Sequence, residues 1–263
     1  MAKALGIDIG GTGIKGALVD TLSGELLTDR IKLPTPPGGL PKDIIATVLQ
    51  LIEQLGGVDP NVPVGVCFPA VVKNGVTMSA ANVSKSWIGL PAEALFETAL
   101  GRGIRFVNDA DAAGYAETRY GAAHGVDGLV ILTTLGTGIG TALIYDGVLI
   151  PNSELGHLQL HGKDVEIRTA YAAKERLNLS WREWAVRLQE YYLHLEALFT
   201  PDLFIVGGGV SKSYAEFLPL MRLNTLIVPA VHRNNAGILG AAALAVLAPD
   251  VAGQFEAFPA ITS

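Results

Sequence analysis

The sequence predicts an α/β protein with mixed sheets, built as two similar lobes around a cleft. Apolar runs typical of strands occur in consecutive groups and then alternate with helix-like segments. A ten-residue stretch at residues 11–20, GTGIKGALVD, also recurs at residues 136–145 as GTGIGTALIY, with six identical positions. A repeat at about half the chain length predicts duplicated lobes, each offering a glycine-rich turn to the same ligand.

The composition favours a compact globular protein. Hydrophobic residues make up 49% of the 263 residues and charged residues 17%, which excludes a disordered chain. The net charge of −6 argues against general nucleic-acid binding. No apolar run reaches the length of a membrane span and the N-terminus lacks a signal-peptide pattern, so we expect a cytoplasmic protein without membrane or nucleic-acid partners. The single cysteine, Cys67, excludes an intrachain disulfide and is expected to be a buried core thiol.

Individual elements follow from periodicity and from turn residues. Strands are predicted at residues 3–9, 14–20, 25–33, 62–68, 104–109, 128–136, 138–146, 147–150 and 202–209. Helices are predicted at residues 41–56, 90–101, 110–123, 180–199 and 234–248. The alternation of apolar and polar residues also predicts a strand through residues 157–161. The grouping of the strands supports two mixed sheets.

The first glycine stretch also matches a dinucleotide-binding pattern, G-x-G-x-x-G, at Gly11, Gly13 and Gly16. That site needs a helix directly after the glycines, whereas ALVDTLSGELL is rich in strand-forming residues and contains a turn. The Walker pattern G-x-x-x-x-G-K-[ST] is absent. The sequence therefore favours a strand–turn–strand hairpin whose backbone N–H groups surround a phosphate, over a redox cofactor loop.

Six motifs occur in the order found in the ROK (repressor, ORF, kinase) family. They are DIGGTGIK (8–15), NDADAA (108–113), TLGTGIG (134–140), ELGH (154–157), IVGGGVS (205–211) and NNAGILGAA (234–242). The chain resembles this family over nearly its whole length. The resemblance implies an actin-like ATPase (ribonuclease H-like) fold, with an N-terminal lobe over residues 1–109 and a C-terminal lobe over residues 110–263. It also implies that a C-terminal helix of about residues 235–250 packs back on the first lobe.

Further segments are similar to the family's polyphosphate glucokinases and polyphosphate/ATP glucomannokinases. These segments are SAANVSKSW (79–87), LSWREW (179–184) and PDLFIVGGGVSK (201–212). The resemblance implies a homodimeric kinase that transfers a phosphoryl group from inorganic polyphosphate to the 6-hydroxyl of glucose, with ATP a second donor or unused. An ATP-dependent kinase for another hexose or an amino sugar is an alternative. A sugar-binding regulator without catalysis is another.

The same resemblance assigns roles to residues. Asp109 is expected to be the general base that accepts the proton of the sugar hydroxyl, although Asp109 or Asp111 could instead cap a helix. Asp8 is expected to hold Mg²⁺ directly or through water. The expected sugar-binding residues are Asn82, Ser84, Asn108, Asp109, Glu154, His157 and Glu166. The expected phosphate-binding residues are Gly10, Gly11, Thr12, Gly13, Lys15, Thr137 and Gly138, with Gly207, Gly208 and Gly209 beside a nucleotide.

Two features bear on metals and on the donor. On a strand, His157 and His161 would lie too far apart to share one ion, so His161 is expected to be a solvated surface residue. Many family members carry a cysteine-rich zinc motif after the histidine of E-x-G-H, but no cysteine follows Cys67, so no structural zinc is expected. Five basic residues between Arg168 and Arg187 could contact a polyanion or simply form a solvated helix face.

Overall fold

The computed structural model describes residues 2–247 as two five-stranded sheets with helices between and outside them. Its strands are β1 Lys3–Ile9, β2 Gly13–Asp20, β3 Ile31–Pro34, β4 Val64–Phe68, β5 Val72–Lys73, β6 Val76–Thr77, β7 Arg105–Asn108, β8 Leu129–Leu135, β9 Ile139–Tyr145, β10 Val148–Ile150, β11 Gln159–Leu160, β12 Lys163–Asp164, β13 Leu203–Gly207 and β14 Leu226–Pro229. Its α-helices are α1 Pro41–Gln54, α2 Ala92–Leu100, α3 Asp109–Tyr120, α4 Val165–Thr169, α5 Tyr171–Arg176, α6 Trp181–Phe199 and α7 Ala236–Ala245.

The two large sheets have the same topology. The first has the order β3-β2-β1-β4-β7 and the second β10-β9-β8-β13-β14. In each sheet the first three strands along the chain form an antiparallel meander, and the next two join in parallel. The duplication predicted from the glycine repeat is therefore present in the strand order, and the mixed sheets are confirmed.

Helices α3 and α7 lie between the sheets and contact each other. Side chains of α3 and α7 share one apolar cluster with strand residues of both sheets, including Ala4, Val19, Leu132 and Ile144. Small residues allow the close approach, because a Cβ on Gly240 would overlap the backbone of Ala112. Glycines on β1 and β4 likewise face the α7 backbone. The chain thus brings its last described helix against the first sheet.

The outer faces of both sheets carry their own cores. Helices α1 and α2 cover the first sheet with an apolar cluster that includes Val48, Phe96 and Trp87. Helix α6 covers the second sheet, where Trp184 and Phe204 are buried in another cluster. Ser180 and Glu183 form a reciprocal capping box at the start of α6, which explains why the helix begins there. No helix in residues 2–247 has both the length and the apolar character that crossing a membrane would need.

Most predicted elements are confirmed within a few residues, but two differ. The strand predicted at residues 25–33 is reduced to Ile31–Pro34 and one isolated bridge between Leu26 and Val19. The strand predicted through 157–161 is wrong at its start, because Leu155–His157 forms a 3-10 turn before the two-residue strand β11. The predicted C-terminal helix is observed up to Ala245, and its residues 248–250 lie outside the described residues. The lobe boundary at residue 109 stays a prediction.

Candidate active site

Two adjoining cavities lie between the two sheets. The larger has a volume of about 630 Å³ and the smaller about 240 Å³. Asp109, Thr134 and Gly208 line both, so the cavities meet at these three residues. A group bound in one cavity would therefore lie next to a group bound in the other, with the Asp109 carboxylate at their junction.

Asp109 is the first residue of α3, directly after the buried strand β7. The helix is capped by Asn108, whose Oδ1 accepts hydrogen bonds from the N–H groups of Ala110 (2.8 Å) and Asp111 (3.0 Å). Asn108 therefore fills the capping role that the sequence left open for Asp109 and Asp111. The Asp109 carboxylate also accepts the N–H of Ala110 at 2.8 Å and lines both cavities.

Burial controls the protonation of the Asp109 carboxylate. Desolvation, followed by the charge of Asp8, raises the pKa of Asp109 to about 7, against a smaller opposing effect of the Ala110 N–H. A carboxylate with a pKa near neutrality can accept a proton from a hydroxyl and return it to solvent. The position and the pKa both suit a general base.

The smaller cavity is lined by charged and glycine residues from both sheets. Lys15 Nζ donates to Asp8 Oδ2 at 2.8 Å, and their side chains are 23% and 15% exposed. The ladder of β1 and β2 pairs these two residues directly. Gly237 at the start of α7 leaves room for Asp8, because a Cβ there would lie 2.9 Å from the Asp8 Cγ.

Backbone groups make the smaller cavity suitable for an anion. Helices α3 and α7 both begin at its wall, and the N-termini of helices attract phosphate groups. Arg233 and Asn234 line it on the side of α7, and Gly207, Gly208 and Gly209 line it at the end of β13. Arg233 has a left-handed backbone with φ of 44°, a conformation that costs free energy outside glycine and is often found at functional sites.

The larger cavity carries a group of acidic side chains around His157. His157 Nδ1 lies 3.2 Å from Asp164 Oδ2 and 3.9 Å from Glu166 Oε1, and its Nε2 lies 3.9 Å from Glu154 Oε2. Burial raises the pKa of Glu154. Glu166 Oε2 accepts the N–H of Ile139 at 3.2 Å, so the second glycine hairpin holds this side chain. Carboxylates and an imidazole at one wall can accept and donate hydrogen bonds to several hydroxyls.

The structure brings most of the predicted site residues to these cavities. The larger cavity is lined by Asn82, Asn108, Asp109, Thr137, Gly138, Glu154, His157 and Glu166. The smaller is lined by Asp8, Gly10, Lys15, Asp109, Gly207, Gly208 and Gly209. Neither cavity is lined by Gly11, Thr12, Gly13 or Ser84.

Two of the four predicted residues outside the cavities, Gly11 and Ser84, have visible local roles. Gly11 packs against Asn82, since a Cβ on Gly11 would lie 2.6 Å from the Asn82 Cβ. Ser84 caps the 3-10 turn Lys85–Trp87 by accepting the N–H of Ser86. Thr137 and Gly138 were predicted beside phosphate and lie at the larger cavity, and their phosphate role stays a prediction.

Several residues that line the cavities were not assigned a role from the sequence. Arg233 immediately precedes the quoted motif NNAGILGAA, and Lys85 and Thr134 lie inside quoted motifs without having been assigned a role. Their positions inside or beside the motifs were the signal from which a role could have been predicted.

His161 is exposed and hydrogen-bonds Glu190, which confirms its predicted surface position. Cys67 is fully buried, as predicted, and its Sγ lies 3.8 Å from Asp8 Oδ1.

Within residues 2–247, no cluster of three or more histidine, cysteine, aspartate or glutamate side chains could hold a metal ion on its own. A magnesium ion bound together with phosphates needs only one or two protein carboxylates, because phosphate oxygens and water supply its other ligands. Asp8 at the smaller cavity meets that requirement. The donor set fits an ion that arrives with a phosphorylated substrate.

Comparison with known proteins places the chain in a family. The model of the ROK family matches residues 4–169. The chain belongs to the ROK family. The relationship predicted from the six motifs is confirmed, and with it the actin-like ATPase fold, which the solved structures below share.

Several of the relatives that match the chain are sugar kinases. The polyphosphate glucokinase of Mycobacterium tuberculosis is 46% identical over 242 residues, which cover 92% of this chain and 90% of the relative. The structure of an inorganic polyphosphate/ATP-glucomannokinase from Arthrobacter sp. strain KM is 52% identical, with a TM-score of 0.88 and coverage of 92% and 97%. A ROK glucokinase from Streptomyces griseus, solved with glucose and AMPPNP, is 26% identical with a TM-score of 0.80 and coverage of 92% and 99%.

Proposed function

We propose that this protein is a polyphosphate glucokinase, which transfers a terminal phosphoryl group from inorganic polyphosphate to the 6-hydroxyl of glucose. The observation that carries the proposal is the Asp109 carboxylate at the junction of two cavities of opposite character. One cavity offers hydrogen-bonding side chains for a sugar, and the other offers cations and helix N-termini for phosphates. The names of the 46% and 52% identical relatives support the same activity.

In this proposal the larger cavity binds glucose. Glu154, His157 and Glu166 contact its hydroxyls, together with Asn82 and Asn108 on the opposite side. The 6-hydroxyl points toward Asp109, which accepts its proton as the oxygen attacks the phosphorus. The proton goes to the carboxylate, the new O–P bond forms, and the bond to the rest of the donor breaks. The shortened polyphosphate leaves with the electrons of that bond.

The smaller cavity holds the reacting end of the donor. Lys15 and Arg233 face its negative oxygens, and the N-terminal ends of α3 and α7, where the helix dipole is positive, lie at the cavity wall. Kinases of this kind use a divalent metal ion, and Asp8 would hold it as Mg²⁺ directly or through water. When bound, the ion would offset negative charge on the phosphate oxygens. Closure of the cleft would exclude water that could hydrolyse the donor.

ATP is proposed as a second donor. Gly207, Gly208 and Gly209 line the smaller cavity, and Gly209 has open space where a Cβ would lie, so a nucleotide base could lie beside it. The Streptomyces griseus neighbour was solved with AMPPNP, and the Arthrobacter neighbour is named for both donors.

The basic residues between Arg168 and Arg187 are partly engaged in contacts within the protein, since Arg168 lies 3.7 Å from Glu190 and Arg187 donates to the Arg168 carbonyl. The homodimer predicted from the resemblance also remains a proposal.

The test is the formation of glucose 6-phosphate by the purified protein with polyphosphate and with ATP, each at matched Mg²⁺. We expect product with polyphosphate. Product with neither donor would overturn the kinase assignment, and product with ATP alone would overturn the polyphosphate part. Mannose and N-acetylglucosamine as acceptors separate the glucokinase from the alternative hexose or amino-sugar kinase. Glucose binding without any product would favour the sugar-binding regulator instead.

A further inference from the structure

A partly buried hydrogen-bond network joins three segments that surround the larger cavity. At its centre is Asn152, in the loop between β10 and Glu154, which has a left-handed backbone with φ of 61°. Asparagine adopts this conformation more readily than most residues. The loop residue is therefore suited to turn its side chain away from its own strand and toward another part of the protein.

The Asn152 side chain pairs with the backbone of Val72 at both of its polar atoms. Its Oδ1 accepts the Val72 N–H at 2.8 Å, and its Nδ2 donates to the Val72 carbonyl at 2.8 Å. Val72 follows Pro69 and Ala70, which line the larger cavity from the side of the first sheet. A single amide thus satisfies both backbone groups of one residue from the other half of the molecule, as a neighbouring strand would.

The Asn152 backbone is held by a third group. Its N–H donates to Asp111 Oδ2 at 2.8 Å, and Asp111 is 2% exposed on the first turn of α3, two residues after Asp109. The other oxygen, Asp111 Oδ1, is buried and has no hydrogen-bond partner within the described residues. A buried carboxylate oxygen without a hydrogen bond costs free energy. The hydrogen bond that the Asp111 side chain does make is to the Asn152 loop.

The next residues of the loop are fixed equally firmly. The Thr141 hydroxyl donates to the Ser153 carbonyl at 2.8 Å and accepts the Leu155 N–H at 3.1 Å. Glu154 lies between these two anchors and projects into the larger cavity. On the opposite side, Asn108 Nδ2 donates to the Ala70 carbonyl at 2.9 Å. Hydrogen bonds thereby connect the segments that contain Ala70, Asp109 and Glu154 around the larger cavity.

We propose that Asp111 and Asn152 are positioning residues that hold Glu154 and the Pro69–Ala70 segment in the arrangement that binds the sugar. Neither residue lines the cavity. Their contribution is to fix the distance between two walls before the sugar arrives, which lowers the ordering cost of binding. The inference rests on the proposed function in taking glucose as the sugar.

The first test replaces Asn152 with glycine, which accepts the left-handed backbone and removes both bonds to Val72. Each lost hydrogen bond corresponds to about a two- to tenfold change, so we expect the KM for glucose to rise about tenfold. The KM for polyphosphate and kcat should stay within about threefold, because the donor cavity and Asp109 are untouched once glucose is bound. The matched control is Asn178→Gly, since Asn178 is also left-handed with φ of 47° but is exposed.

The second test separates positioning from simple stability. Asp111→Asn keeps an oxygen that can accept the Asn152 N–H and should retain a near-normal glucose KM, whereas Asp111→Ala should raise it. If Asn152 had only a structural role, Asn152→Gly would have a lower melting temperature than the wild type but the same glucose KM. If Asp111→Ala does not fold, the glucose KM of Asn152→Gly compared with that of Asn178→Gly still tests the positioning role.

Hydrogen exchange supplies a readout that does not require catalysis. In Asn152→Gly, the amide of Val72 should exchange faster than in the wild type, because its acceptor is removed. A wild type that forms no glucose 6-phosphate would overturn the proposed function while leaving this local readout intact. A wild type that is active, beside an Asn152→Gly variant with an unchanged glucose KM, would overturn the positioning role.

Discussion

The two glycine hairpins share a sequence and a strand topology but differ in their chemistry. In the first, the ladder pairs Asp8 with Lys15, and the two side chains form an ion pair at the smaller cavity. In the second, the equivalent ladder pair is Thr134 and Gly140, which carry no charge. Gly140 has no room for a side chain, because a Cβ would lie 2.5 Å from Thr134 Oγ1 and 3.0 Å from the Ala110 Cβ.

In the proposed function, this difference lets a duplicated element serve two substrates. The first hairpin supplies a cation and a carboxylate suited to a phosphate donor. In the second hairpin, Gly140 leaves room for the first turn of α3, which begins at Asp109. The Ile139 N–H of this hairpin donates to Glu166 at the larger cavity. The repeat in the sequence therefore predicts the shared fold correctly, while the proposed division of roles rests on the residues that differ within it.

The largest expected effect concerns Asp109, which lies between the two hairpins. Asp109→Asn removes the proton acceptor and should lower kcat by about 10²- to 10⁴-fold, the usual contribution of a general base. Glucose affinity, measured by calorimetry, should change by less than about threefold, because the walls of the larger cavity remain. Near-normal turnover would show that another group accepts the proton.

A smaller effect is expected from pH. Because the pKa of Asp109 is raised to about 7, its basic form is lost as the pH falls below that value. The ratio kcat/KM should then fall by about tenfold for each pH unit below 7 and level off above it. The residual activity of Asp109→Asn, measured over the same range, should lack this dependence. A wild-type profile that is flat between pH 5 and 7 would contradict the assignment.

The smallest effect compares single glycines of the two hairpins. Gly140→Ala should lower the free energy of unfolding by about 1–3 kcal/mol, because the packed Thr134 and Ala110 must move. Gly13→Ala meets mainly the Cε atom of the exposed Lys32 and should cost less than about 1 kcal/mol. Urea denaturation of both variants measures the difference. Equal losses would mean that the second hairpin is not more tightly packed than the first.

Much of the fold could be predicted from the sequence because its signals are local. Buried strands such as Leu203–Gly207 are continuous apolar runs, and α6 begins at a recognisable Ser180–Glu183 cap. The strand prediction for residues 25–33 is wrong in its first part: Leu27 is 43% exposed, and before β3 only Leu26 forms a bridge to β2. Strand propensity depends on a partner strand, which local sequence does not show.

The candidate site was predictable only where motifs marked it. Asp8, Asp109 and Glu154 lie within recognised motifs, and each lines a cavity. Asn152 could not be found in this way, because its function depends on Val72, which is 80 residues away in the chain. Nor could the sequence show that Asn108, rather than its aspartate neighbours, caps α3. Such assignments depend on distances that only the folded chain defines.

The division of roles between the hairpins is tested most directly by steady-state kinetics of two variants, Lys15→Ala and Glu166→Gln, with glucose and polyphosphate each varied. Lys15→Ala should raise the polyphosphate KM by at least about tenfold and leave the glucose KM unchanged, since a bond to a charged group is lost. Glu166→Gln should do the reverse. Lys42→Ala, at an exposed position of α1, is the control and should alter neither. If either variant raised both KM values equally, the hairpins would not serve separate substrates.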